Sequence, residues 1–124
     1  MFSFNQLGNL GELGNQMFQY AAIKGIASKN DREFMIAPPE IFGKFYYKKM
    51  RSNIYDCFNI QAKTGISDFP VFSEKSFHFD EKTFLNPPSE NVDFSGFFQS
   101  SKWFGLGNKH LNTKDLYLDN WNIV

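Results

Sequence analysis

Glycines at every third position, Gly8, Gly11 and Gly14, run directly into Asn15 and Gln16. This stretch holds the residue types best suited to contacting a ligand. Glycine lets a backbone approach a ligand closely and adopt positive φ. The side-chain amides of Asn15 and Gln16 carry donors and acceptors, so they can orient an oxyanion or a hydroxyl. A short apolar stretch, Met1 to Phe4, leads into the loop, and a segment patterned as a helix, Gln16 to about Ser28, leaves it. Strand, glycine loop and helix together put free N–H groups and the positive end of a helix dipole beside an anion. The first physical expectation is a phosphate-bearing ligand. The structural alternative is that Asn15 caps the helix, a role asparagine fills well.

Two phosphate loops of known pattern do not fit. The dinucleotide fingerprint needs G-x-G-x-x-G, whereas Gly8, Gly11 and Gly14 are spaced G-x-x-G-x-x-G. It also wants an acidic residue roughly 20 residues on, at the end of the second strand. Here Phe34 to Ile36 runs into Ala37-Pro38-Pro39, and Glu40 comes too late. A P-loop needs Gly-Lys-Ser/Thr, but Gly14 is followed by Asn15, so lysine and hydroxyl are both missing.

Other chemistry-bearing residues are scattered. His78 is followed by Asp80 and Glu81, and the one other histidine is His110, too few ligands for a metal site. A histidine pointing outward from an alternating strand is the preferred reading. Cys57, beside Tyr55, Phe58 and Ile60, reads as a small buried apolar residue. Phe42, Phe45, Tyr46 and Tyr47 precede Lys48, Lys49 and Arg51, a mixture that suits single-stranded nucleic acid or sugars. Aromatics packed inward with lysines in water explain that stretch without a ligand. Gln99, Ser100, Lys102 and Trp103 follow a strand, and ligands of open α/β sheets bind at carboxyl ends of strands. Packing explains Trp103 as well.

The positioning elements follow from periodicity. Met1 to Asn5 reads as a first strand, and the helix after the loop is apolar nearly all round, interrupted by Gln16, Gln19 and Lys24. A helix without a broad polar face lies between a sheet and a second layer. Ser28 to Arg32 reads as a polar turn, and Phe34 to Ile36 as a second strand stopped by Pro38-Pro39. Ile41 to Ile60 reads as irregular with one or two helical turns. Ser76 to Asp80 alternates like a strand, Asn86 to Ser89 is a turn, and Val92 to Gln99 has the strongest strand pattern. Strands alternating with helices predict an α/β layer with a mostly parallel sheet.

Composition narrows the class. The 124 residues bound one domain, and 13 Lys+Arg against 13 Asp+Glu argue against a nucleic-acid-binding face. One cysteine excludes an internal disulfide. No apolar run approaches the ~18 residues of a membrane span, and no basic leader with a cleavage site is visible. The expectation is a soluble, cytoplasmic chain. Its 16 phenylalanines imply a generous aromatic core or reflect AT-rich coding.

Two longer strings carry a resemblance. Leu13-Gly14-Asn15-Gln16-Met17-Phe18-Gln19-Tyr20-Ala21 resembles the N-terminal signature of the α-1,2-fucosyltransferases, glycosyltransferase family 11. Asn91 to Phe104 is similar to that family's N-V-x-L-x-G-Y-F-Q-S-E-K-Y-F segment, with Phe97 and Trp103 for tyrosines and Ser101 for glutamate. The likeness covers roughly residues 1–104, and the tail 105–124 diverges from it. It implies a Rossmann-like N-terminal half of a two-domain GT-B fold, transferring fucose from GDP-fucose to a galactose 2-hydroxyl of an acceptor glycan. Transfer would invert the anomeric centre without a metal ion or other cofactor. Gly11, Gly14, Asn15, Gln16 and Gln99 are then the expected substrate-binding positions.

Departures from the family also matter. Many members carry arginine where this chain has Glu12, so Glu12 is expected to face water or weaken donor binding. The family's donor-binding C-terminal domain carries H-x-R-R-x-D, whose arginines would pair with the pyrophosphate. The two arginines here, Arg32 and Arg51, lie in no such motif. The chain thus resembles an N-terminal half, with a separately encoded C-terminal half as a possible partner. The alternative is a non-catalytic, truncated or split module that binds sugar, nucleotide or a partner. No catalytic base is assignable, Asp80 and Glu81 being candidates by position alone. Family members in animals are membrane-anchored in the Golgi, so the resemblance is to the soluble microbial or viral type.

Overall fold

Phe2 and Phe4 alternate with Ser3, so one face of the first strand is aromatic and the other polar, and this division continues at Val92, Asp93 and Phe94. The computed structural model describes residues 1–41 and 53–104. In chain order these form β1 (Phe2–Phe4), α1 (Leu13–Lys29), β2 (Phe34–Ile36), a 3-10 turn (Pro39–Ile41), α2 (Ile54–Cys57), β3 (Lys63–Thr64), β4 (Val71–Ser73), α3 (Glu81–Leu85), β5 (Val92–Ser95) and a 3-10 turn (Ser101–Phe104). The five strands make one sheet in the order β3-β2-β1-β5-β4, and every pairing is parallel. The expected α/β layer with a parallel sheet and flanking helices is present.

β1 sits at the centre. From it the chain runs out to β2 and β3 on one side, then to β4 at the far edge and back to β5 beside β1. The crevice past the carboxyl ends of β1 and β5 is thus where the strand order reverses, the usual ligand position in an open α/β sheet.

α1 covers the aromatic face. Phe2 packs edge-on against Phe94 at 5.3 Å, Phe4 against Phe98 at 5.7 Å, and Phe94 against Phe72 at 5.9 Å. The turn at Ser101–Phe104 packs against α1, with Phe18 on Phe104, and Trp103 meets Phe98 at 5.1 Å. Gly25 makes this packing possible, because a Cβ there would strike the Trp103 carbonyl oxygen. α1 is buried on most sides, which is why its sequence carries no broad polar face. On the opposite face the buried Asp93 carboxylate accepts from the Ser3 hydroxyl and the Asn5 N–H, both at 2.9 Å. The Asn5 side chain bonds the Ser67 backbone in both directions and so pins the 65–69 loop there.

Three boundaries differ from the sequence expectation. α1 begins at Leu13, not Gln16. The strand patterned over Ser76 to Asp80 is absent: the Ser76 hydroxyl accepts from the His78 N–H in a bend, and Asp80 caps α3 through the Thr83 N–H. The edge strand lies instead at Val71–Ser73. β5 stops at Ser95 because Gly96 (φ +146°) turns the chain out of the sheet. Of the stretch Ile41 to Ile60, one short helix is described, α2, capped by Asn53. The aromatic and basic residues at 42–52, and the tail 105–124 with His110, lie outside the described residues.

Candidate functional site

β1 delivers the glycine loop to the sheet's carboxyl edge. Gly11 has φ +107°, a conformation that a side chain would strain, and a Cβ there would collide with the Asn15 side-chain amide. Glu12, exposed and extended, is the N-cap of α1 but forms no side-chain cap, and the first turn contains no acidic residue. Among the described residues no side chain caps the start of α1, although the Glu12 carboxylate at its N-cap adds negative charge there. Gly14 lies in that first turn and is exposed, and a Cβ there would meet no atom within 4 Å. The fold does not require glycine at position 14.

Asn15 is inside the helix, one turn on from where a cap would sit, so the capping explanation for it fails. Its side-chain oxygen instead accepts from Gln99 Nε2 at 3.2 Å, and Gln99 Nε2 also donates to the Phe97 carbonyl at 3.1 Å. The structure thus brings together Gly11, Gly14, Asn15 and Gln99 at the reversal point. Gln16 is elsewhere. It is fully buried, its Oε1 accepting from the Ile54 N–H at 3.1 Å and its Nε2 pointing at the Gly11 carbonyl, 3.4 Å away. Gln19 similarly donates to the Leu10 carbonyl at 2.8 Å. These two glutamines hold the glycine loop in place from beneath.

Sequence reading missed Glu74. It follows β4, and its Oε1 accepts from the Phe97 and Phe98 N–H groups at 3.2 and 3.1 Å. This fastens the turn after β5, where Phe98 also has positive φ. Gly96 permits the approach: a Cβ there would lie 2.5 Å from Glu74 Cβ. Burial pushes the Glu74 carboxyl above its usual pKa despite both amide donors, and its Oε2 is buried without a partner. Nothing in Ser73-Glu74-Lys75-Ser76 distinguishes this glutamate from a surface charge. The signal lies in its pairing with Gly96, which exists only in the fold.

Two cavities flank residues 74–76. One, about 330 Å³, is bounded by Leu10 of the glycine loop, Glu74, Phe77, Gly96 and Phe97. The other, about 230 Å³, is bounded by Phe72, Glu74, His78, Asp80 and Trp103. Asp80 is committed to α3, accepting from Thr83 N–H at 3.1 Å and Thr83 Oγ1 at 2.6 Å. The Thr83 hydrogen bond holds its carboxyl below the ordinary value, with Lys75 adding to this. Among the described residues no three His, Cys, Asp or Glu side chains gather as a metal site, and no helix is long and apolar enough to cross a membrane. In comparisons with protein-family models, curated proteins and solved structures, no match to this chain is found.

Proposed function

We propose that this chain is the N-terminal, Rossmann-like half of a GT-B α-1,2-fucosyltransferase, and that its glycine loop contacts the GDP-fucose donor. The observation that carries the reading is the Asn15–Gln99 hydrogen bond. It joins the two stretches that resemble family 11, 84 positions apart, at the sheet's reversal point beside an uncapped helix N-terminus. Gly14 supports it, since a glycine that costs helix stability without a steric reason suits close approach of a ligand.

In the proposed reaction a base takes the proton of the acceptor 2-hydroxyl. That oxygen bonds to the fucose anomeric carbon as the bond to phosphate breaks, and GDP leaves with the electron pair. A cation must stabilise the departing GDP. Arg32 does not serve, because it precedes β2 at the opposite, amino end of the sheet and pairs with Glu90 at 3.3 Å. Arg51 lies outside the described residues. Neither arginine lies in an H-x-R-R-x-D motif, so the reading expects the cationic group from a donor-binding half, and the chain alone is expected to bind GDP weakly without transferring fucose. The reading is tested by titrating GDP into the full chain by calorimetry and assaying transfer from GDP-fucose to lactose. Weak saturable binding without turnover agrees with it. Turnover by the chain alone contradicts the half-enzyme account, and absence of binding contradicts the loop's role.

A further inference from the structure

The cavities on either side of residues 74–76 share Glu74, Lys75 and Ser76 as a common wall. The larger reaches the glycine loop at Leu10. Phe77 stands on its rim with 75 % of its surface exposed, and Phe97 opposite is 39 % exposed. Large aromatic faces left in water beside a cleft whose lining is mostly apolar are a cost unless something packs on them. Ser73, Ser76 and Ser95 add hydroxyls that both donate and accept. The lining pairs one carboxylate, Glu74, with one ammonium, Lys75, and so favours no net charge on a ligand. The larger cavity, about 330 Å³, lies at the small end of the ~300–1,000 Å³ range for ligand pockets and the smaller, about 230 Å³, falls below it, so neither has room for a nucleotide.

We infer that this cleft is a binding site for a neutral hexopyranoside, with Phe77 as the platform for the apolar face of the sugar ring and the Ser73–Ser76 segment contacting its hydroxyls. Glu74 acts here as a positioning residue. Its carboxylate fixes the Phe97 and Phe98 amides and so sets the opposite wall of the cleft. The inference rests on the glycosyltransferase reading and deepens it: a sugar here lies beside the loop proposed to contact the donor.

The probe is methyl β-D-galactopyranoside, titrated into the ¹⁵N-labelled full chain and followed by amide chemical shifts. Saturable shifts confined to residues 72–79 and 95–97 are expected. Phe77→Ala, a change at an exposed side chain that leaves the core intact, should bind roughly ten-fold more weakly, the order of one lost aromatic contact. No saturable shift at these amides, or equal binding by Phe77→Ala, overturns the inference. GDP titrated in parallel reads the other proposal separately, through shifts at residues 8–15. Galactoside silent with GDP bound removes the sugar site and leaves the donor-loop reading standing, and the converse removes the latter alone.

Discussion

Gln99 Nε2 lies 3.2 Å from Asn15 Oδ1, so a residue in the first turn of α1 is tied to the turn leaving β5. Both side chains belong to short polar strings that separately suggest ligand contact. Their bond places those strings at one point, where β1 and β5 end side by side. The remaining amide atom of Asn15 and the backbone of the glycine loop are then held in a fixed relation.

Gly11 and Gly14 should respond oppositely to alanine. At Gly11 the methyl meets Asn15 and φ is positive, so Gly11→Ala is expected to lose about 1 kcal/mol or more of stability and to weaken GDP binding. At Gly14 the backbone is helical and the space open, so Gly14→Ala should gain about 0.5–1 kcal/mol yet still weaken GDP binding. Urea unfolding and calorimetry on the same variants separate the two effects. A Gly14→Ala variant that binds GDP as well as wild type would leave that glycine without a role.

Gln16 acts through the fold. Gln16→Leu removes the acceptor for the buried Ile54 N–H, and a loss of about 1–3 kcal/mol is expected in urea unfolding. A variant as stable as wild type would show that this bond is not maintained in solution.

Glu74 should make stability depend on pH with a definite sign. Its folded pKa is raised by burial, so the folded state holds this proton more tightly than the unfolded one. Its contribution is most favourable below the ordinary glutamate value of about 4.3 and is lost as pH rises through the raised value. Glu74→Gln keeps an acceptor for Phe97 and Phe98 without the charge. Its urea midpoint relative to wild type is expected to increase with pH across that window. A constant difference would mean that Glu74 titrates as a solvated side chain.

Asp80 should separate cleanly from the chemistry. Asp80→Ala removes the α3 cap and is expected to cost about 0.5–2 kcal/mol in thermal or urea unfolding, with GDP binding unchanged. Loss of binding at full stability would return Asp80 to consideration as a functional carboxylate.

Much of this architecture was legible from residue order because it depends on local pattern. Phe2-Ser3-Phe4, the all-round apolar helix and Val92-Asp93-Phe94 each specify a strand or helix that has one buried solution in a parallel sheet. The two outer strands were not, since β3 and β4 span two and three residues with mostly exposed side chains. Ser76 to Asp80 misled because its alternation is real but its polar members bond locally, Ser76 to a bend and Asp80 to a cap. In the site, Asn15 and Gln99 could be named from sequence, whereas Gln16 could not be placed. Starting α1 at Leu13 puts Gln16 in register with Gln19, Tyr20 and Ile23, the stripe that faces inward. Glu74 required the Gly96 turn, a contact between residues far apart in sequence that no local pattern encodes.

The central claim is that Asn15 and Gln99 act together on the donor, and a double-mutant cycle tests it most directly. GDP affinity would be measured by calorimetry for the full chain, Asn15→Ala, Gln99→Ala and the double variant. The account predicts that each single change weakens binding roughly five- to ten-fold and that the double variant is little weaker than either, because the pair works as a unit. Variants that bind GDP as well as wild type, or single effects that simply multiply, would contradict it.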